Sequence, residues 1–323
     1  MSGGAAASDD TAKRPGIDPR LYQIGALSGL LAYGLATLGL DVSPARAALL
    51  LAAALGAQFA CTKIWRLPAF EPRSAIISGL SLGLLLRCGS PALAVLAAAA
   101  AVSSKFLLRW RGKHVFNPTN FAIVASILAT REVWVSPAQW GNGAFFGFLL
   151  ACAGGIVVQR AARADVTAAF LALYLALVLG RSLWLGEPLA IPLHRLQSGS
   201  LLIFAFFMIS DPRTTPDARA GRVLFGALVA AGAAFVQFRL FRTNGPLWSL
   251  AALSPLVPAI DWLLPGPRHG WPRAIPLPPS VSKGARHETP LDSPGRLFPA
   301  LRRGAPGAPV LRLLRGSGRR ETL

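Results

Sequence analysis

Gly112-Lys-His-Val-Phe-Asn-Pro-Thr-Asn120 and Ser210-Asp-Pro-Arg-Thr-Thr-Pro216 interrupt a chain that is otherwise a succession of apolar runs. Each break sets a proline beside small polar side chains. At membrane depth, backbone groups freed by a proline or a break must find partners inside the protein. One such break in each half of the chain predicts an internal polar site, which a simple anchor would not need.

Working outward from the two breaks, the sequence divides into ten apolar segments, at about 21–40, 45–62, 74–87, 90–108, 118–130, 142–159, 165–184, 198–210, 222–239 and 246–264. Most approach the ~20 residues that a helix needs to cross a bilayer. The first is read as an uncleaved helix, because another apolar run follows it at once. Only 15% of the 323 residues are charged and 53% are apolar, against roughly 25% charged in a soluble domain. The runs do not alternate apolar and polar with period two, which excludes a β-barrel. The expected fold is an all-α polytopic membrane protein.

Ten segments split five and five. With an odd number in each half, the second half must be inverted relative to the first. The third and eighth segments are short, about 13 residues each. They contain Ser78-Gly79 and Ser198-Gly199 at corresponding positions. Paired short or interrupted segments in two inverted repeats are a pointer to a transporter-type site. The expected organisation is a disordered cytoplasmic N-terminus at 1–19 and a transmembrane domain at 20–265. Repeat one spans about 20–131 and repeat two about 142–265. A basic, Pro/Gly-rich cytoplasmic tail, expected to be disordered, occupies 266–323.

The formal charge of +19 invites a nucleic-acid reading, but its distribution opposes it. Eleven Lys/Arg lie beyond Gly266, and the rest sit mainly in short loops. If the N-terminus is inside, the inner loops carry fifteen Lys/Arg before the tail and the outer loops seven. That bias predicts N-in, C-in topology. No nucleic-acid partner is expected; the bilayer is, and the tail suits anionic headgroups.

Cys61, Cys88 and Cys152 form no CxxC pair, and His114, His194, His269 and His287 form no helical pair. No metal site is expected. A P-loop, GxGxxG and HExxH are all absent, and no catalytic residue can be named. Four side chains are candidates for lining a polar interior. Asn117 and Pro118 read as a cap and first turn, but a helix start does not account for Asn120, a further amide within the apolar run. Asp211 starts a turn in an Arg-rich loop. Asp261 falls in the tenth segment after Pro255 and Pro258, and intramembrane carboxylates are functional candidates. Lys105 and Arg109, at the inner end of the fourth segment, read as snorkelling side chains.

With these blocks in view, the chain resembles a membrane family. The carriers of the resemblance are 74–86, Gly112-Lys-His-Val-Phe-Asn-Pro-Thr-Asn-Phe-Ala122, and Ser198-Gly-Ser through Phe206-Phe-Met-Ile-Ser-Asp-Pro-Arg-Thr-Thr-Pro216. Gly221-Arg-Val-Leu-Phe-Gly-Ala-Leu228 and 253–261 continue it. The family comprises the D subunit of the Rnf electron-transport complex and the B subunit of the sodium-pumping NADH:quinone reductase. The resemblance implies ten helices in two inverted five-helix repeats, an architecture shared with urea channels. It also implies a bacterial inner-membrane component of a redox-driven ion pump, working with other membrane subunits. Family members carry flavin mononucleotide esterified to a threonine in a Ser-Gly-Ala-Thr-type motif after the fifth helix. Here that loop reads Arg131-Glu-Val-Trp-Val-Ser-Pro-Ala-Gln-Trp140, with no threonine. The surroundings of Thr130 lack the motif, and Pro137 follows Ser136. The expectation is a divergent member of the family without covalent flavin, with non-covalent flavin or quinone open. The alternatives are a stand-alone channel or transporter for a small polar solute, or a non-catalytic structural subunit.

Overall fold

The computed structural model describes residues 18–37, 39–136, 153–159, 161–196 and 198–268. The expectations for 1–17, for most of the sixth segment and for the tail beyond 268 lie outside these residues. The described chain is mostly helical. Three of its helices are long and apolar enough to cross a membrane: α2 (Pro44–Ile64), α7 (Ala164–Leu185) and α10 (Arg219–Phe238). α1 covers Pro19–Thr37, and α3 (Arg73–Leu85), α4 (Pro91–Leu107) and α5 (Pro118–Ala129) are shorter. α6 is described over 153–159. α8 (Ala190–Leu196) precedes α9 (Gly199–Ile203), which continues as a π-helix over Phe204–Met208.

Local sequence sets the helix starts. Ser43 and Ser90 each precede a proline. Their side chains accept the backbone N–H of Arg46 and Ala92 at 3.1 Å, satisfying donors that the first helical turn leaves open. The tenth apolar segment is not one helix. α11 (Gly245–Leu253) passes through a 3₁₀ turn at Ser254–Leu256 into α12 (Val257–Leu263). Pro255 lacks the N–H that a continuous helix requires. The all-α expectation also omitted four short strands. β1 (Leu86–Cys88) pairs antiparallel with β4 (Val133–Val135), and β2 (Arg109–Trp110) with β3 (Lys113–His114). The second pair closes through Arg111 and Gly112 at φ +48° and +83°, the left-handed turn that suits a two-residue hairpin.

Small residues bring the helices together. Ala94, Ala97, Ala98 and Ala101 form one buried stripe on α4, and α4 packs on α2. Gly226 of α10 lies so close to α7 that a Cβ there would meet the Val166 carbonyl at 2.7 Å. Such close approach is how helices associate where lipid removes the hydrophobic drive. In the first half, α2 packs on α3 and α4, and α4 packs on α5. In the second, α7 packs on the π-helix and α10, and α10 packs on α11. α5 meets α11 across the halves.

Candidate functional site

The π-helix is where the two polar breaks meet. A π turn hydrogen-bonds i to i+5, as Ile209 N does to the Phe204 carbonyl at 3.0 Å. This wider turn loosens the neighbouring carbonyls from regular helical pairing. Each of the next four accepts a side-chain donor. Thr167 Oγ1 donates to Ala205 O at 2.8 Å, and Ser210 Oγ to Phe206 O at 2.5 Å. Gln23 Nε2 donates to Phe207 O at 3.4 Å, and Asn117 Nδ2 to Met208 O at 3.2 Å. Three of the four donors come from other helices: α1, α7 and the cap of α5. The broken segment is therefore a hub, as expected where no water reaches the backbone.

Asn117 serves twice. Its Oδ1 caps α5 by accepting Asn120 N at 3.1 Å, while its Nδ2 holds the π-helix. Asn120 is fully buried and donates to Leu247 O in α11 at 3.2 Å; its Oδ1 has no partner. Asp211 opens the turn that follows the π-helix. Its Oδ1 accepts Arg213 N at 3.0 Å, and its carbonyl accepts Thr214 N and Thr215 N. Burial lifts the Asp211 carboxyl above the usual carboxylate range. The Arg213 N–H bond and the positive charges of Arg213, Lys105 and Arg163 oppose that lift.

Asn117 and Asp211 line one cavity of about 270 Å³ with Gln58, Ser78, Lys105 and His114. Lys105 is only 3% exposed and donates to Ser74 O at 2.8 Å. It does not snorkel. It continues the alanine stripe of α4 at Ala94, Ala98 and Ala101, so its helix face carries it inward. That spacing was the sequence signal for it. Gln58 occupies the same kind of place on α2, continuing the stripe Ala47, Leu50, Ala54. The Gln58 Oε1 and His114 Nε2 atoms are buried with no hydrogen-bond partner. Burial, with the charges of Arg213, Arg109 and Lys105, pushes the His114 pKa down to about 3. The imidazole is neutral at pH 7. The lining of the cavity thus includes an amide with an unused acceptor, a neutral imidazole and a buried lysine amine, near the end of the π-helix.

Asp261 and Asn120 lie elsewhere. Asp261 lines a neighbouring cavity of about 170 Å³ that shares His114 with the first. Its Oδ2 accepts Lys113 Nζ at 2.7 Å, and its Oδ1 accepts Asp217 N at 2.7 Å. Lys113 also reaches Asp217 Oδ1 at 3.0 Å and Thr215 O at 2.7 Å. This ammonium between two carboxylates ties the β2–β3 hairpin to α12. Sequence reasoning passed over Gln58, Lys113 and Asp217; Lys113 was counted only as loop charge. Among the described residues no group of three or more His, Cys, Asp or Glu is placed to hold a metal.

With this geometry in hand, known proteins place part of the chain. Residues 138–265 match the model of the NQR2, RnfD, RnfE family. The chain is 36% identical over 131 residues to the D subunit of the ion-translocating oxidoreductase complex of Escherichia coli O1:K1 / APEC; the match covers 38% of this chain and 34% of that one. It is 29% identical over 126 residues to the protein of the same name from Vibrio vulnificus (strain YJ016), again over 38% of this chain and 34% of that one. The chain thus spans about a third of the length of the curated relatives it matches. The resemblance read from the polar blocks is shown over 138–265. That segment holds Asp211, Asp261 and the π-helix; Asn117 and Asn120 precede it.

Proposed function

We propose that the chain is a membrane-integral subunit of an electron-transfer complex coupled to ion translocation, of the kind its relatives are named for, working without covalently bound flavin. The observation that carries this reading is the π-helix hub and its cavity, with Gln58 Oε1 and His114 Nε2 left unpartnered beside buried Lys105. Buried polar atoms are normally satisfied, so two orphans on residues that line one cavity point to a ligand there. The family's redox group suits this cavity better than the loop after α5. Thr130 already donates its hydroxyl to Ser126 O at 3.2 Å, and the loop sequence holds no other threonine. In the cavity, Gln58 Oε1 would accept an N–H, and Lys105 would donate to a ring carbonyl. A flavin ring edge presents both; a quinone presents only carbonyls. Such a group supplies one- and two-electron transfer when bound. The protein's part is to orient its edge through Gln58, Lys105 and His114 and to hold it away from bulk water between α2, α4 and the π-helix.

The ten-span architecture in two inverted repeats belongs to the same proposal. The recurrence of packing supports it: α2 with α3 and α4 and then α4 with α5, against α7 with the π-helix and α10 and then α10 with α11. Lys/Arg counts of fifteen against seven support N-in, C-in placement in a bacterial inner membrane. Other membrane subunits would complete the complex. The test is an absorbance spectrum of the purified chain before and after acid precipitation. Yellow colour released into the supernatant supports the reading, and colour retained in the pellet overturns its non-covalent part. Colourless protein that purifies without other membrane subunits overturns it altogether. That last result would favour a stand-alone channel for a small polar solute. One observation favours that second reading: cavities lie at both ends of the α9–π-helix.

A further inference from the structure

We infer that the cavity at the Ser198 end of the π-helix is a second binding site, for a phosphate-bearing amphiphile. It measures about 420 Å³ and lies at the opposite end of the α9–π-helix from the Asn117 cavity. Its lining includes Arg195 and Arg242 and no carboxylate. Neither guanidinium has an ion pair among the described residues. A third, Arg181, stands close by: Arg181 and Arg195 lie 4.5 and 5.4 Å from the same Phe238 ring. The acid here, Glu187, is committed to Arg181 and Ser182, both at 2.8 Å. Arg195 and Arg242 are solvent-exposed at the mouth of the cavity, where an incoming anion can reach them, and a guanidinium fork matches a phosphate in two parallel bonds.

The rest of the cavity defines the other end of the ligand. Phe204, Leu201 and Leu247 form an apolar floor, which suits an acyl chain or a ring rather than a bare ion. Asn244 starts α11 without a side-chain cap, so the positive end of that nine-residue helix faces the same space. The cavity is also assembled like the first. The start of a short segment (Ser198, Ser200), a residue of a long helix (Tyr174) and the start of a Pro-led helix (Gly245-Pro246) line it. In the Asn117 cavity those places belong to Ser74 and Ser78, to Gln58, and to Asn117-Pro118. The difference is the pair of arginines. No redox role is needed at this site, because charge and shape at the other end of the helix define its ligand.

A phosphate on this amphiphile has two sources, a phospholipid headgroup or a free organic phosphate. Thermal unfolding of the full chain in non-ionic detergent separates them. The probes are dihexanoyl phosphatidylglycerol and inorganic phosphate, added to wild type, to Arg195→Gln/Arg242→Gln, and to Arg239→Gln as a basic control outside the cavity. The phosphatidylglycerol should raise the wild-type midpoint and that of Arg239→Gln. It should bind the double variant on the order of a hundredfold more weakly, about tenfold for each guanidinium–phosphate bond removed. Arg242→Lys, which keeps charge and loses the fork, should lose only part. Protection by the lipid well beyond that by inorganic phosphate identifies a headgroup, weaker protection by inorganic phosphate alone identifies a free organic phosphate, and equal protection by both overturns the amphiphile. No protection by either probe, or protection undiminished in a double variant whose unliganded midpoint matches wild type, overturns the inference.

Discussion

Replacing His114 by glutamine should remove a large part of the acid sensitivity of the fold. The His114 ring is 7% exposed, and its folded pKa is pushed to about 3 from a reference of 6.5. A base whose folded pKa is lowered stays neutral in the native state, while the unfolded chain takes up its proton. Below pH 6.5 the unfolded state therefore binds more protons, and stability must fall as pH falls. The contribution is complete above about pH 6.5 and is lost progressively down to about pH 3. At pH 5 the two titrations differ by a factor of about 30 in the unfolded-to-folded ratio, or about 2 kcal/mol relative to pH 8. Glutamine is polar and of similar reach, and it does not titrate. Reversible denaturant unfolding of wild type and His114→Gln in the same detergent, at pH 8 and pH 5, measures the difference directly. Carboxylates common to both proteins cancel. Wild type should lose about 2 kcal/mol more than the variant on acidification. Parallel losses in the two proteins would refute the buried, neutral state assigned to this ring.

Three further outcomes test the packing and the polar ties. Gly226→Ala sets a Cβ 2.7 Å from the Val166 carbonyl and should cost about 1–3 kcal/mol by forcing α7 and α10 apart; Gly29→Ala, with nothing within 4 Å of its Cβ, should be near neutral in the same thermal unfolding. Lys113→Met leaves Asp217 and Asp261 facing each other without their ammonium and should cost about 2–4 kcal/mol. Adding Asp261→Asn to it should restore part of that loss, and strictly additive losses in the double-mutant cycle would contradict the coupling. Asn120→Leu cuts the bond to Leu247 O, and interhelical bonds of this kind contribute about 0.6 kcal/mol on average. Asn117→Ala removes both a cap and the hold on Met208 O, so it should cost clearly more, about 1–2 kcal/mol. Equal effects from the two would argue against the hub.

Much of the helical layout was legible before any coordinates. Pro44, Pro91 and Pro118, each behind a Ser or Asn, announce helix starts because proline fits only the first turn and the preceding side chain caps it. The short third and eighth segments were visible as well, since α3 has 13 residues and α9 with the π-helix runs from Gly199 to Met208. Asn117 was singled out in the Phe-Asn-Pro break and Asp211 as an acid in an Arg-rich loop, and both line one cavity. Lys105 and Gln58 were legible in principle, on stripes of buried alanines and leucines, but a charge near a helix end reads equally as a snorkelling one.

What the linear sequence determined was where the chain can cross lipid and where it must break. Those are local properties of apolar length, proline and capping side chains, and they act within one turn of the residue concerned. Which breaks meet was decided only by the tertiary structure. Phe204–Met208 becomes a π-helix because Thr167, Gln23 and Asn117, from three other elements, are present to take its loosened carbonyls. Asp261 is parted from Asp211 because Lys113, 148 residues away in the chain, reaches it from the β2–β3 hairpin. Hydrogen bonds and ion pairs of that kind depend on distances in space, and no periodicity or composition along the chain encodes which partner will arrive.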